Sequence, residues 1–249
     1  MSVRNTDRKA HAEDSSSVSV SLITEGPLWI LSGADFLTWR MMLVILTSKQ
    51  VSADCMEITA ASGPSFFIRP SYLTTVSAPL LVPGYELDGE QELELLDAAL
   101  VFAAEKKAVD YLSRQEQSRS GLVKKLMAKG MEKRHIDVAL NYLEGKNYLS
   151  DSRFARSWLN NRRITKCEGR SRLLSELMSR GIDKNICDQA LDEFFAENDE
   201  SELCRKAALK LIRLGKKEEK LVASLVRSGF TYKMIKSVLG DITDIGEKK

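Results

Sequence analysis

Apolar positions in the second half of the chain recur at helical spacing, and the helices they predict come in matching sets. Leu173, Leu174, Leu177 and Met178 mark one face of a helix over Arg172–Arg180. Gly181 follows, where a helix end needs a residue that tolerates positive φ. Asp183 can cap the next helix, whose buried stripe would be Ile186, Cys187, Ala190, Leu191 and Phe194. The same order appears around Gly130, with the weaker cap Glu132 and the apolar Ile136, Ala139 and Leu140. It appears again around Gly229, with Thr231, Ile235, Val238 and Leu239. A further helix precedes each pair, marked by Ala108, Tyr111 and Leu112, by Phe154, Ala155, Trp158 and Leu159, and by Ala207, Ala208, Leu211 and Ile212.

The pattern therefore predicts a mainly α protein: a tandem array of three three-helix repeats with a period of about fifty residues. Such short units bury too little surface alone, so a continuous apolar spine through all three is expected. Gly181→Ala should cost about 1 kcal/mol through positive-φ strain.

The first third of the chain follows another pattern. Residues 1–17 read as a disordered tail, and 18–85 as a small divergent extension, β-containing or mixed. Its strand candidates are Val18–Leu22, Leu28–Leu31 and Phe66–Ile68; Asp35–Thr47 fits neither period. Pro79, Pro83 and Gly84 mark a linker. Leu93, Leu96, Ala99, Leu100 and Ala103 then form a lead-in to the first repeat. The boundaries are 86–147 for the lead-in and first repeat, 148–200 for the second and 201–242 for the third. A polar tail, 243–249, follows.

Charge divides along the same line. Lys106–Gly240 holds 29 Lys and Arg against 18 Asp and Glu, whereas residues 1–105 hold 6 against 14. A basic array suits a polyanion or an acidic protein groove. The cations gather where the first helix of each unit meets the second. They are Arg114, Arg119, Lys124 and Lys125 in the first unit. The second has Arg162, Arg163, Lys166, Arg170 and Arg172, with Arg153 and Arg156 one and two turns earlier, and the third Lys210, Arg213, Lys216, Lys217 and Lys220. In stacked units these would form one ridge able to grip carboxylates or phosphates.

Catalytic patterns are close to absent. His11 lies in the tail, and His135 on a charged helix reads as a surface or partly packed residue. Gly145-Lys146 and Gly215-Lys216 lack phosphate-loop spacing. Cys55, Cys167, Cys187 and Cys204 form no CxxC pair and suit free thiols in a reducing cytosol. No secretory signal or membrane-spanning run is read. The expectation is a cytoplasmic, monomeric protein that is not an enzyme and uses no cofactor or metal.

One stretch is more specific. Tyr148-Leu-Ser-Asp151-Ser-Arg153-Phe154-Ala155, then Arg162-Arg163, Lys166, Gly169 and Glu176-Leu177-Met-Ser-Arg180-Gly181-Ile182, resembles the central signature of the RecX family of RecA recombinase regulators. Ser150 stands where the family favours an acidic residue, and Asp151 is left to supply the helix cap. Ala108–Arg114, Ser118-Arg119-Ser120 and Gly229-Phe230 also fit, and the resemblance spans roughly residues 86–240. It implies a curved array lying in the groove of RecA filaments on DNA. There it would inhibit ATP hydrolysis and strand exchange and favour filament loss, tempering recombination, repair and the DNA-damage (SOS) response. The partner it implies is the RecA filament, with a weak contact to DNA phosphate and none to membrane. The alternative is a helix-turn-helix nucleic-acid binder, which Glu132, Asp137, Asp183, Asp188, Asp192 and Glu193 on the third helices weaken. A structural adaptor touching neither filament nor DNA is the third reading.

Overall fold

The computed structural model describes residues 43–61 and 63–246, with side chains to Ile242. The strand candidates Val18–Leu22 and Leu28–Leu31 lie outside the described residues. Four antiparallel strands, β1 (Leu43–Ser52), β2 (Cys55–Ala60), β3 (Phe66–Ile68) and β4 (Glu86–Leu87), form a sheet in the order β3-β2-β1-β4. Phe66–Ile68 is the strand its sequence predicts. Part of the unassigned Asp35–Thr47 run falls in β1, where alternation is broken by a register shift between Ile45 and Thr47. The expected linker is instead folded in. Leu81 is buried and the Gly84 N–H donates to Ile45 O, so the prolines shape a packed loop.

Nine helices follow among the described residues: α1 (Gly89–Leu112), α2 (Arg119–Met127), α3 (Lys133–Gly145), α4 (Asp151–Thr165), α5 (Arg170–Ser179), α6 (Lys184–Glu197), α7 (Glu200–Arg213), α8 (Glu218–Arg227) and α9 (Tyr232–Gly246). They form three successive three-helix units behind the small sheet. α9 continues past Gly240, into the stretch expected as a polar tail. The lead-in and the first helix of unit 1 are one continuous element, α1. It starts at a capping box in which Asp88 accepts from the Glu90 and Gln91 N–H groups. Its buried face is Leu95, Ala98, Val101, Ala104 and Ala108, not the face carrying Leu93, Leu96 and Leu100, which are exposed. Apolar residues surround this helix, so periodicity alone could not choose the side that packs.

The α4 cap also differs from expectation. The Ser150 hydroxyl, not Asp151, accepts from the Arg153 N–H and caps α4. Asp151 reaches back instead to accept from the Arg119 N–H at 2.8 Å, filling the free amino end of α2 in the preceding unit. Glu200 does the same for the Arg170 N–H, at 2.8 Å.

The apolar spine is not continuous. Among the described residues, buried side chains fall into three clusters: the sheet with the first half of α1, unit 1, and units 2 and 3 together. The sheet is locked to unit 1 by a polar network rather than by apolar packing alone. Arg69 pairs in two-pronged fashion with the buried Glu105 of α1, at 2.7 and 2.5 Å. Tyr72 donates to the same carboxylate, Tyr142 of α3 donates to Asp54, and the Arg69 guanidinium lies 4.5 Å from the Tyr142 ring. Burial and the Asp54 bond push the Tyr142 hydroxyl up to about 12, so it stays a donor.

Candidate partner-binding site

The helix-one to helix-two junctions place the predicted cations in three different situations. Six pair with carboxylates. Arg119 meets Glu144 at 2.5 Å, Arg153 meets Glu116 at 2.9 Å and Arg156 meets Glu193 at 2.6 Å. Arg162 meets Glu168 at 2.5 Å, Arg170 meets Asp192 at 2.7 Å and Arg172 meets Glu176 at 2.8 Å. Three hold neutral oxygens: Lys125 on Gln117, Arg163 on Asn198 and Lys216 on Ser224. Among the described residues, Arg114, Lys124, Lys166, Lys210, Arg213, Lys217 and Lys220 have exposed side chains with no hydrogen bond or ion pair. The last group is the one available to a partner without first breaking an internal bond.

Arg162 shows why position in the sequence misleads. It is mostly buried, engages both Glu168 oxygens and lies over the Trp158 ring, whose other cationic neighbour is Arg180. The Glu168 bond raises the guanidinium's pKa further. Its work is to hold the α4–α5 connection. Arg180 in turn bonds Glu176, whose carboxyl is lowered chiefly by that bond.

Unpaired cations converge at one place, where the α4–α5 connection faces α7. A cleft of about 540 Å³ opens there, lined by Arg163, Ile164, Lys166, Ala207, Lys210 and Leu211 among others. Glu168 also borders it, but its oxygens are taken by Arg162. A second hollow of about 390 Å³ on α7 is lined by Lys206, Leu209, Lys210, Arg213 and Leu214, so Lys210 belongs to both. Arg163, Lys166, Lys210 and Arg213 are thus brought together across units 2 and 3. Arg114, Arg119, Lys124 and Lys125 of unit 1 line neither hollow.

Sequence reasoning passed over three members of this surface: Lys206, and the aliphatic Ile164 and Leu214, exposed at 80% and 68%. A signal existed, since Ile164 interrupts the charged run Arg162–Lys166 as an apolar residue with no place in the helix's buried stripe. His135, expected at the surface or partly packed, lies deeper than that. It is buried, with Nε2 3.0 Å from Asp97 Oδ1, because α3 turns it inward against α1. The nearby Glu94 accepts from the Thr74, Thr75 and Val76 N–H groups, tying the loop to α1. Among the described residues no group of three His, Cys, Asp or Glu could hold a metal ion, and no helix is long and apolar enough to cross a membrane. The cysteines there are free, and burial pushes the Cys204 thiol up to about 11.

Comparison with known proteins agrees with this architecture. Residues 150–191 match the RecX second three-helix domain, which here is α4 to most of α6. The regulatory protein RecX of Treponema pallidum (strain Nichols) is 36% identical over 147 residues, covering 59% of this chain and 90% of that protein. The regulatory protein RecX of Bacillus licheniformis is 31% identical over 186 residues, 70% of each chain. A crystal structure of regulatory protein RecX superposes with a TM-score of 0.62 at 28% identity, covering 79% of this chain and all of that one. RecX from Lactobacillus salivarius, 24% identical with a TM-score of 0.52, shares the fold over 58% of this chain. From the signature, the three-helix units and the extent of these matches, the chain belongs to the RecX family.

Proposed function

We propose that this protein regulates recombination and repair by binding RecA filaments in the cytoplasm and restraining them. Held there as a monomer, it lowers RecA's ATP hydrolysis and strand exchange and shortens the life of the filament. The observation that carries this reading is the group of unpaired cations, Lys166, Lys210 and Arg213 with Arg163, gathered across units 2 and 3 in a RecX-family chain. An extended helical array makes many shallow contacts, and exposed cations give it on-rate and register rather than a deep pocket. The third helix of unit 2, α6, does not offer the positive face of a DNA recognition helix. On α6, Asp188, Asp192 and Glu193 are bonded to Lys184, Arg170 and Arg156.

The test adds purified protein to RecA assembled on single-stranded DNA and follows ATP hydrolysis, co-sedimentation and filament length. Hydrolysis should fall and filaments shorten. The double reversal Lys166→Glu and Lys210→Glu should weaken both effects with helicity unchanged. Arg162 is left intact because its reversal would break the α4–α5 connection. Absence of co-sedimentation together with unchanged hydrolysis overturns the reading. Tight, sequence-specific duplex binding at physiological salt would replace it with the helix-turn-helix alternative.

A further inference from the structure

The cleft between the α4–α5 connection and α7 has a chemistry that a purely electrostatic contact does not need. Its rim is cationic, with Lys166 and Lys210 unpaired and Arg163 bonded only to a neutral amide among the described residues. Its wall includes Ala207 and Leu211, and Ile164 stands beside it with 80% of its surface exposed. Leu214 stands in the same way beside Arg213 in the adjoining hollow. We propose that this cleft receives an acidic segment of the protein partner that carries an aliphatic side chain, the carboxylates meeting Lys166 and Lys210 and the aliphatic group packing on Ile164 and Leu211. This inference rests on the filament-binding reading and names the part of the partner that enters.

The choice of a peptide over a nucleic acid follows from what lines the space. Single-stranded nucleic acid gains affinity by stacking bases on aromatic rings, and among the described residues no aromatic side chain lines either hollow. A phosphate backbone would meet the cations and leave Ile164 and Leu214 in water. An acidic segment with a Leu, Ile or Val satisfies both parts, and covering an exposed aliphatic side chain is favourable in proportion to the area removed from water. The cationic rim also selects against basic apolar segments, since a like charge brought against it is repelled, and a neutral segment would leave its cations without a counter-charge. Among the described residues the only carboxylate bordering the cleft, Glu168, is held by Arg162 and does not neutralise the rim.

Two measurements on the full chain, with RecA filaments on single-stranded DNA, test the proposal. Ile164→Ser should weaken co-sedimentation about tenfold while leaving thermal unfolding unchanged, since the side chain is exposed. Ile164→p-benzoylphenylalanine, irradiated on the filament, should cross-link to a RecA segment in which acidic residues outnumber basic ones and an aliphatic residue is present. An unchanged affinity for Ile164→Ser, or cross-links to DNA or to a neutral or basic segment, overturns the cleft's assignment and leaves filament binding standing. If the wild-type protein itself fails to co-sediment, the filament reading falls.

Discussion

The two joints between units share one backbone scheme and differ in what seals them. At the first joint, Asp151 accepts from the Arg119 N–H, the Ser118 hydroxyl donates to Arg180 O, and the Gly181 turn sits against Ser120. At the second, Glu200 accepts from the Arg170 N–H, the Gly169 N–H donates to Ser228 O, and the Gly229 turn sits against Arg172. Beyond that the two part company. Units 2 and 3 share one apolar cluster, with Phe230 buried against Gly169, whereas unit 1 keeps a core of its own. The first joint is filled by polar groups, notably Arg153 bonded to Glu116, Asn147 and the Tyr148 carbonyl. A repeat array need not be uniformly coupled, and this one should open first between units 1 and 2.

The largest test of that difference is Phe230→Ala. Removing a buried aromatic ring from the shared core should cost about 3–5 kcal/mol. Hydrogen exchange should then show lost protection throughout units 2 and 3, while α2 and α3 keep most of theirs. Equal loss in unit 1 would mean that the polar joint couples as strongly as the apolar one.

A graded series at the three glycine turns comes next. All three adopt positive φ, +81° at Gly130, +77° at Gly181 and +94° at Gly229, so alanine should strain each by about 1 kcal/mol. Only the last two face a neighbouring unit. A methyl group on Gly181 would lie 2.5 Å from Ser120 Cβ, and one on Gly229 would lie 2.5 Å from the Arg172 backbone nitrogen, whereas none meets Gly130. Chemical denaturation should therefore rank the losses Gly229→Ala at about 2–4 kcal/mol, Gly181→Ala slightly less and Gly130→Ala about 1. The sequence-based figure for Gly181 covers only the local strain and omits the joint.

That omission typifies what the chain discloses and what it conceals. Glycine turns, the Asp183 cap and the buried stripe of α6 depend on residues a turn or two apart, so the sequence displays them. Asp151 looked like a cap for its own helix because its true partner, Arg119, is 32 residues earlier and in another unit. The basic ridge was legible as composition but not as a site. Whether a cation is free depends on carboxylates brought near by folding, as Glu193 is to Arg156 and Asp192 to Arg170. Ile164 shows in the sequence only as an apolar break in a charged run, and its exposure in the fold is what makes it part of a surface.

Reversing charge on each side of the comparison should separate binding from folding. Lys166→Glu with Lys210→Glu, at the second joint's outer cleft, should reduce filament affinity about 10- to 100-fold, or about 1.4–2.8 kcal/mol, with an unchanged melting temperature. Arg153→Glu at the first joint should do the opposite. It should lower the melting temperature by setting two carboxylates together at Glu116, with little direct effect on affinity. Affinity lost equally in both variants, with stability intact, would place the partner across the whole array rather than at the cleft.

The smallest effect concerns acid. Glu176 of α5 bonds Arg180, whose carbonyl receives the Ser118 hydroxyl, so its charge bears on the first joint. The Arg180 bond lowers its carboxyl from the ordinary 4.5, against the opposing effect of burial, with Arg172 and Arg162 adding attraction. A carboxyl depressed on folding contributes stability that is fully present above its unfolded value and is lost as pH falls through the folded one. Because Glu176 is partly exposed, the contribution should be about 0.5–1 kcal/mol. Glu176→Gln should thus be less stable than the wild type at pH 7, and the difference should shrink once pH drops below about 4.5. Hydrogen exchange on α2 should report the same pH dependence if the bond supports the joint. Protection lost only within α4 and α5 would confine its role to holding Arg180 against Trp158.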